Sequence, residues 1–179
     1  MTQLISIIIS SIVSIKINTF FFIPLPIYAI NLYYNVRLIG EKQMPEVILN
    51  GPQGRIECRY HPGSSSDSPV ALILHPEPNQ GGSMNNRVSY GMYHEFRNRG
   101  FSVLRFNFRG VGRSEGVYEG GEGELADAAA VLDWLQSQNL HSRYTFIAGF
   151  SFGSWVGMQL MMRRPEIVGF ISISPPADK

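Results

Sequence analysis

The 179-residue sequence contains one cysteine, no extended block of like charges and no cluster of histidine and cysteine at zinc-binding spacing. Cys58 alone cannot form an internal disulfide, which fits a reducing compartment, and its place in a predicted strand favours a structural residue over a reactive thiol. The formal net charge of +1 provides no electrostatic basis for binding nucleic acid. We therefore expect a cytoplasmic protein with no cofactor, no metal and no nucleic-acid partner.

Residues 1–43 differ in composition from the rest of the chain and have three interpretations. A membrane helix needs about 20 apolar residues, but Lys16 ends the first apolar run, and the run Ile17–Val36 contains three asparagines and two prolines. One interpretation is that translation begins at Met44. The second is an export signal or membrane anchor, which would make the protein membrane-associated or exported and bring residues 1–43 into contact with lipid. The third is a folded element.

From Met44 onward, apolar runs alternate with amphipathic segments and turn sequences. Two short runs, Glu46–Asn50 and Arg55–Tyr60, flank a turn sequence and predict a hairpin. Further strands are predicted at Val70–Leu74, Phe101–Phe108, Tyr144–Ala148 and Ile167–Ser174, and helices at Asn85–Asn98, around Leu125–Leu135 and at Phe152–Arg164. This alternation predicts an α/β fold with a mostly parallel, doubly wound sheet and a leading antiparallel hairpin.

The segment Gly149-Phe150-Ser151-Phe152-Gly153 has the form G-x-S-x-G and lies between a predicted strand and a predicted helix. That context is typical of a nucleophile elbow, in which the serine occupies a strained turn and glycines remove side chains that would collide. The alternative is a serine that caps the following helix. We interpret Ser151 as a nucleophile.

The order of these motifs resembles the α/β-hydrolase superfamily, and within it small bacterial hydrolases similar to dienelactone hydrolase. The resemblance rests on the strand ending in His75-Pro76, the segment Arg105–Ser114 and the elbow Gly149–Gly153, and it extends from Met44 to about Pro176. Residues 44–179 would then form the N-terminal part of such a domain. The motifs are specific for the superfamily, but they do not identify a substrate beyond a small ester or related acyl compound.

The resemblance assigns roles to four residues of this sequence. Ser151 would be the nucleophile, and the backbone N–H of Phe152 would donate to the oxyanion. A second donor is expected in the loop after His75, where Glu77 is the nearest candidate because Pro76 and Pro78 have no N–H. The Glu77 carboxylate should point away from the oxyanion, and His75 would shape the oxyanion loop rather than act as a base.

Other chemically suggestive residues have structural interpretations. We expect His61, His94 and His141 to be surface or packing residues, and Asp178 to be a terminal surface charge. The arginines Arg105, Arg109 and Arg113 resemble an anion site only superficially, because the accompanying glycines lack the spacing of a dinucleotide fingerprint. The glutamates among Gly120, Gly121 and Gly123 are expected in a solvated loop that begins a helix, and not at a metal site.

In the family the acid and the histidine both follow the serine, whereas no histidine follows Ser151 in this sequence. We therefore expect these groups, with the remaining strands and part of the pocket, to lie beyond Lys179, and this chain to lack appreciable turnover. A non-catalytic remnant and a partner-binding or membrane-associated protein on the same fold remain as alternatives. The apolar strand Ile167–Ser174 would be an uncovered sheet edge open to self-association.

Overall fold

The computed structural model describes residues 46–177. The interpretations of residues 1–43 and the prediction for Asp178 concern parts of the chain outside this range. Among the described residues, no helix has the length and apolar character needed to cross a membrane.

Six strands form one sheet in the order β1-β2-β4-β3-β5-β6. Their bounds are β1 Glu46–Gly51, β2 Gly54–His61, β3 Val70–Leu74, β4 Ser102–Phe106, β5 Thr145–Phe150 and β6 Ile167–Ile173. The β1–β2 and β2–β4 pairs are antiparallel, and the β4–β3, β3–β5 and β5–β6 pairs are parallel. The predicted fold class, a mostly parallel sheet with a leading antiparallel hairpin, is confirmed.

Three α-helices connect the parallel strands, namely α1 Arg87–Asn98, α2 Glu122–Ser137 and α3 Phe152–Arg163. All five residues of β3 are buried, as expected for a strand covered on both faces. Val70, Leu72 and Leu74 belong to the core cluster that includes the apolar sides of α2 and α3. On the opposite face of the sheet, Phe146 of β5 packs against Phe96 of α1, with ring centroids 6.5 Å apart.

The strand predicted at Phe101–Phe108 is shorter than expected, because β4 ends at Phe106. The Asn107 amide side chain accepts from Met84 N at 2.8 Å and donates to Glu57 Oε2 at 2.8 Å, which ties the β2 strand to the loop after β3. The next backbone N–H, that of Phe108, donates to His75 Nε2 at 3.0 Å. Asn107 N still donates to Glu57 O of β2 at 2.9 Å, and from Phe108 onward the chain leaves the sheet.

The loop from Asn107 to Gly121 is held by ion pairs and hydrogen bonds of charged side chains. Arg109 is 2% exposed and makes a bidentate ion pair with Asp127, at 2.8 and 2.7 Å, and a further contact with Glu119 at 2.7 Å. Glu124, however, is fully buried, and the prediction of a solvated glutamate loop is wrong at this position. Its carboxylate caps helix α2 by accepting from Gly121 N at 2.6 Å and Glu119 N at 3.0 Å.

Candidate active site

Ser151 occupies the sharp turn between β5 and α3, at the carboxyl edge of the parallel strands. Its backbone angles are φ 53° and ψ −119°, a combination that non-glycine residues rarely adopt. Ser151 N donates to Ile173 O at 2.9 Å, and Ser151 O accepts from Ser154 N at 2.9 Å. Such strain costs on the order of 1–3 kcal/mol and persists only where the surrounding structure enforces it.

Both glycines of the G-x-S-x-G motif are required by close backbone approaches. A Cβ on Gly149 would overlap the Gly153 carbonyl and lie 2.6 Å from Ser154 N. A Cβ on Gly153 would overlap Leu74 O and lie 2.6 Å from His75 O. The start of α3 therefore sits directly against the end of β3, and neither position tolerates a side chain without backbone movement.

Phe152 is the first residue of α3, so its N–H belongs to the N-terminal turn, whose N–H groups point away from the helix. The side chain is 1% exposed and packs against the rings of Phe108, Tyr118 and Trp155, with centroids 5.6, 5.7 and 5.8 Å away. This packing fixes the first turn of α3, and hence the direction of the helix dipole toward the turn at Ser151.

His75 immediately follows β3 and is 1% exposed. Because Phe108 N donates to Nε2 at 3.0 Å, the ring proton lies on Nδ1, where it donates to Pro76 O at 2.7 Å. Burial lowers the pKa of His75 to about 4. The ring is therefore neutral with both nitrogens engaged, an arrangement that stabilises the loop and leaves no nitrogen to accept a proton from Ser151.

Glu77 lies in the loop after His75, where a short 3-10 helix, Pro78–Gln80, follows it. The Glu77 carbonyl accepts from Gln80 N at 3.1 Å and Gly82 N at 3.0 Å. Gly81 adopts φ 78°, and a Cβ on Gly82 would lie 2.6 Å from Glu77 O, so the two glycines permit the tight bend. Burial, and then the Glu77 carboxylate, raise the pKa of Tyr118, which places that carboxylate beside the Tyr118 phenol.

The other three histidines lie away from the turn at Ser151. His61 ends β2 opposite Val103, near the amino end of β4, and His141 is exposed in the turn that leads into β5. His94 packs against Tyr90, with ring centroids 4.4 Å apart, in the second half of α1. Since Ser151 follows the carboxyl end of β5, none of the three is at its edge of the sheet.

Two residues at the site had no signal in the sequence. Ser154, 1% exposed in the first turn of α3, bonds through its hydroxyl to Gly149 and Ile173. Tyr118 packs against Phe152 from a glycine-rich loop. Both act through contacts between segments distant in sequence, so neither spacing nor composition could have identified them.

Comparison with known proteins places residues 58–179 within the family model of the X-Pro dipeptidyl-peptidases (S15 family). The chain is 53% identical over 135 residues to the uncharacterized protein RP471 of Rickettsia prowazekii (strain Madrid E), covering 75% of this chain and 57% of that protein.

Two crystal structures are also similar to this chain. ATU1826 of Agrobacterium tumefaciens, a protein of unknown function, gives a TM-score of 0.73 at 55% identity, over 75% of this chain and 62% of that one. XC6422 of Xanthomonas campestris, an α/β serine hydrolase without a lid, gives 0.69 at 33% identity, over 79% and 66%. The chain spans less than two thirds of each of these three proteins.

Proposed function

Because the chain belongs to the α/β-hydrolase superfamily and, within it, to the family of the S15 X-Pro dipeptidyl-peptidases, we propose that Ser151 is the nucleophile of a serine hydrolase acting on ester or related acyl bonds. The predicted superfamily is confirmed, whereas the closer likeness to dienelactone hydrolases stays a prediction. The observation that carries the proposal is the strained serine, with φ 53°, at the junction of β5 and α3.

The chemistry requires Ser151 Oγ to attack the carbonyl carbon of the substrate while a general base takes the hydroxyl proton. The carbonyl oxygen becomes an oxyanion, which we assign to the backbone N–H groups of Phe152 and Glu77. Collapse of this intermediate returns the proton to the leaving alcohol and leaves an acylated serine. Water then attacks the acyl group by the same route and regenerates the free hydroxyl.

Two features support the assignment of the oxyanion donors. The N-terminal turn of α3 directs its dipole toward the turn at Ser151, where negative charge develops. On the opposite side, the contact of Gly153 with the carbonyls of Leu74 and His75 brings the end of β3, and with it the loop that contains Glu77, against the elbow. The Glu77 carboxylate interacts with the Tyr118 phenol, and the proposal requires this charge to point away from the oxyanion.

The general base is a group other than the four histidines of this sequence. His75 already uses both ring nitrogens, and the other three lie away from the carboxyl edge of the sheet. This distribution also favours the second candidate, a non-catalytic role for the 179-residue polypeptide on its own. The hydrolase and the non-catalytic protein should respond differently to an added base, because only a hydrolase has a serine that the base can activate.

Rescue by imidazole separates the candidates. The full chain and Ser151→Ala are assayed with p-nitrophenyl butyrate over a series of imidazole concentrations, and the rate of the variant is subtracted as background. The hydrolase proposal predicts Ser151-dependent hydrolysis that rises with imidazole, because the added base replaces the proton acceptor. Equal rates for both folded proteins at every concentration would contradict it.

Similarity to the X-Pro dipeptidyl-peptidase family over residues 58–179 suggests a peptide as a second substrate to test. Glycyl-prolyl p-nitroanilide, assayed in parallel, tests cleavage of an amide bond after proline. We expect ester hydrolysis to exceed amide hydrolysis, since p-nitrophenolate is a far weaker base than the p-nitroanilide anion and leaves without protonation by an acid. Faster cleavage of the amide would contradict the proposed preference for esters and indicate a peptidase.

A further inference from the structure

The Ser154 hydroxyl lies where three segments of the candidate site meet. It is 2.6 Å from Gly149 O, at the end of β5, and 2.9 Å from Ile173 O, at the end of β6. It also accepts a hydrogen bond from Ile173 N at 3.1 Å. A serine hydroxyl has one proton and two lone pairs, so it can accept from Ile173 N while donating to one of the two carbonyls.

The backbone of Ile173 is therefore shared between Ser154 and the elbow, through the two peptide groups that flank its Cα. Ile173 N–H is directed to Ser154 Oγ, and Ile173 O receives the backbone N–H of Ser151 at 2.9 Å. A residue held at both its N–H and its C=O links the position of Ser154 to the residue that carries the nucleophile. Because Ser154 is 1% exposed, water does not compete for these bonds.

Backbone strain is concentrated around Ile173. Ser151 and Ser174 are the two non-glycine residues with positive φ among residues 46–177, at 53° and 46°. One donates to Ile173 O and the other directly follows Ile173 in the chain. Strained conformations relax unless several contacts hold them, and Ser154 supplies the side-chain contact that reaches both strained segments.

We propose that Ser154 is a positioning residue, whose hydroxyl clamps the ends of β5 and β6 together and thereby holds Ser151 in its strained conformation. The role in catalysis rests on the function proposed for Ser151 above. Ser154 touches no reacting atom, and its effect on the reaction passes through Ile173 and the backbone of Ser151. A displacement of about 1 Å at a reacting group can cost on the order of 100-fold in rate.

The test compares Ser154→Ala with Ser154→Cys and with Ser89→Ala in the full chain. The alanine variant removes the hydroxyl, and the cysteine variant retains a weaker donor of similar shape. Ser89 is the matched control, since it is a fully buried helical serine whose hydroxyl has no hydrogen-bond partner among the described residues. Two readouts are taken, namely the rate of fluorophosphonate labelling of Ser151 with imidazole present, and hydrogen exchange of the Ser151 and Ile173 amides.

We expect Ser154→Ala to slow labelling by about 10- to 100-fold and to speed exchange at Ser151 and Ile173, while amides of β3 and α1 exchange as before. Ser154→Cys should lie between the alanine variant and the original chain, and Ser89→Ala should match the original in both readouts. Unchanged labelling, or exchange that rises equally throughout the chain, would overturn the positioning role.

Failure of the hydrolase proposal gives a different pattern. In that case Ser151 is not labelled in any variant, the original chain included, while exchange at Ser151 and Ile173 still responds to Ser154→Ala. That pattern would reduce Ser154 to a structural clamp and reject its role in positioning a nucleophile.

Discussion

Acidification should destabilise the fold through His75, because the folded chain holds this ring neutral. The side chain is 1% exposed, and burial lowers its pKa from an ordinary value of 6.5 to about 4. A histidine with a lowered pKa in the folded state contributes its full stabilisation above pH 6.5. That contribution is lost as the pH falls toward 4, since the unfolded chain binds the proton first.

The magnitude follows from the two pKa values. One pKa unit corresponds to 1.36 kcal/mol, so a shift from 6.5 to about 4 amounts to about 3 kcal/mol of unfolding free energy. About 2 kcal/mol of this should be lost between pH 7 and pH 5. For a domain with a total stability of about 5–15 kcal/mol, the loss is large enough to measure.

Urea unfolding of the full chain and of His75→Gln, at half-unit intervals from pH 7 to pH 4.5, isolates this contribution. Glutamine can donate to Pro76 O and accept from Phe108 N, but it does not titrate. The stability advantage of histidine over glutamine should therefore shrink by about 2 kcal/mol on acidification to pH 5. A difference that stays constant with pH would refute the neutral, doubly bonded His75.

Three further results are expected. Gly153→Ala should abolish labelling of Ser151, because the added Cβ would collide with two carbonyl oxygens at the end of β3. The control Gly91→Ala, whose added Cβ would have no atom within 4 Å, should retain labelling and stabilise α1 by up to about 1 kcal/mol. Asp127→Ala should lower the unfolding free energy by about 3 kcal/mol in urea titrations, because it removes the buried partner of Arg109 and leaves that guanidinium with the exposed carboxylate of Glu119. A value below about 1 kcal/mol would contradict that pairing. Cys58, fully buried and with its pKa raised chiefly by burial, should react with a thiol reagent only as fast as the chain unfolds; rapid reaction in native buffer would contradict this.

Local sequence signals were sufficient for most of the fold. The five apolar residues of β3 predicted a strand buried on both faces, and its bounds agree with the prediction. The helix predicted at Asn85–Asn98 spans Arg87–Asn98, with Asn86 as its cap, because the Asn86 side chain accepts from Val88 N at 2.9 Å. The elbow was recognisable because strain at a serine requires glycines at fixed neighbouring positions.

The rest depended on partners that are distant in the chain. Nothing near Phe106 signals the end of β4, because the strand stops where Asn107 binds groups on two other segments. Glu124 has the sequence context of a solvated helix start. Its side chain is nevertheless buried, where the carboxylate accepts hydrogen bonds from the backbone N–H groups of Glu119 and Gly121. The role of Ser154 likewise exists only after β6 has paired with β5.

The account depends most directly on whether Ser151 behaves as a nucleophile. The full chain is treated with a fluorophosphonate probe, with and without imidazole, and the modified residue is located by mass spectrometry of the peptide spanning Gly149–Gly153, with Ser151→Ala as the control. We predict an adduct on Ser151 whose rate of formation increases with imidazole and which is lost in the variant. A folded chain that gives no adduct on Ser151 at any imidazole concentration would contradict the account.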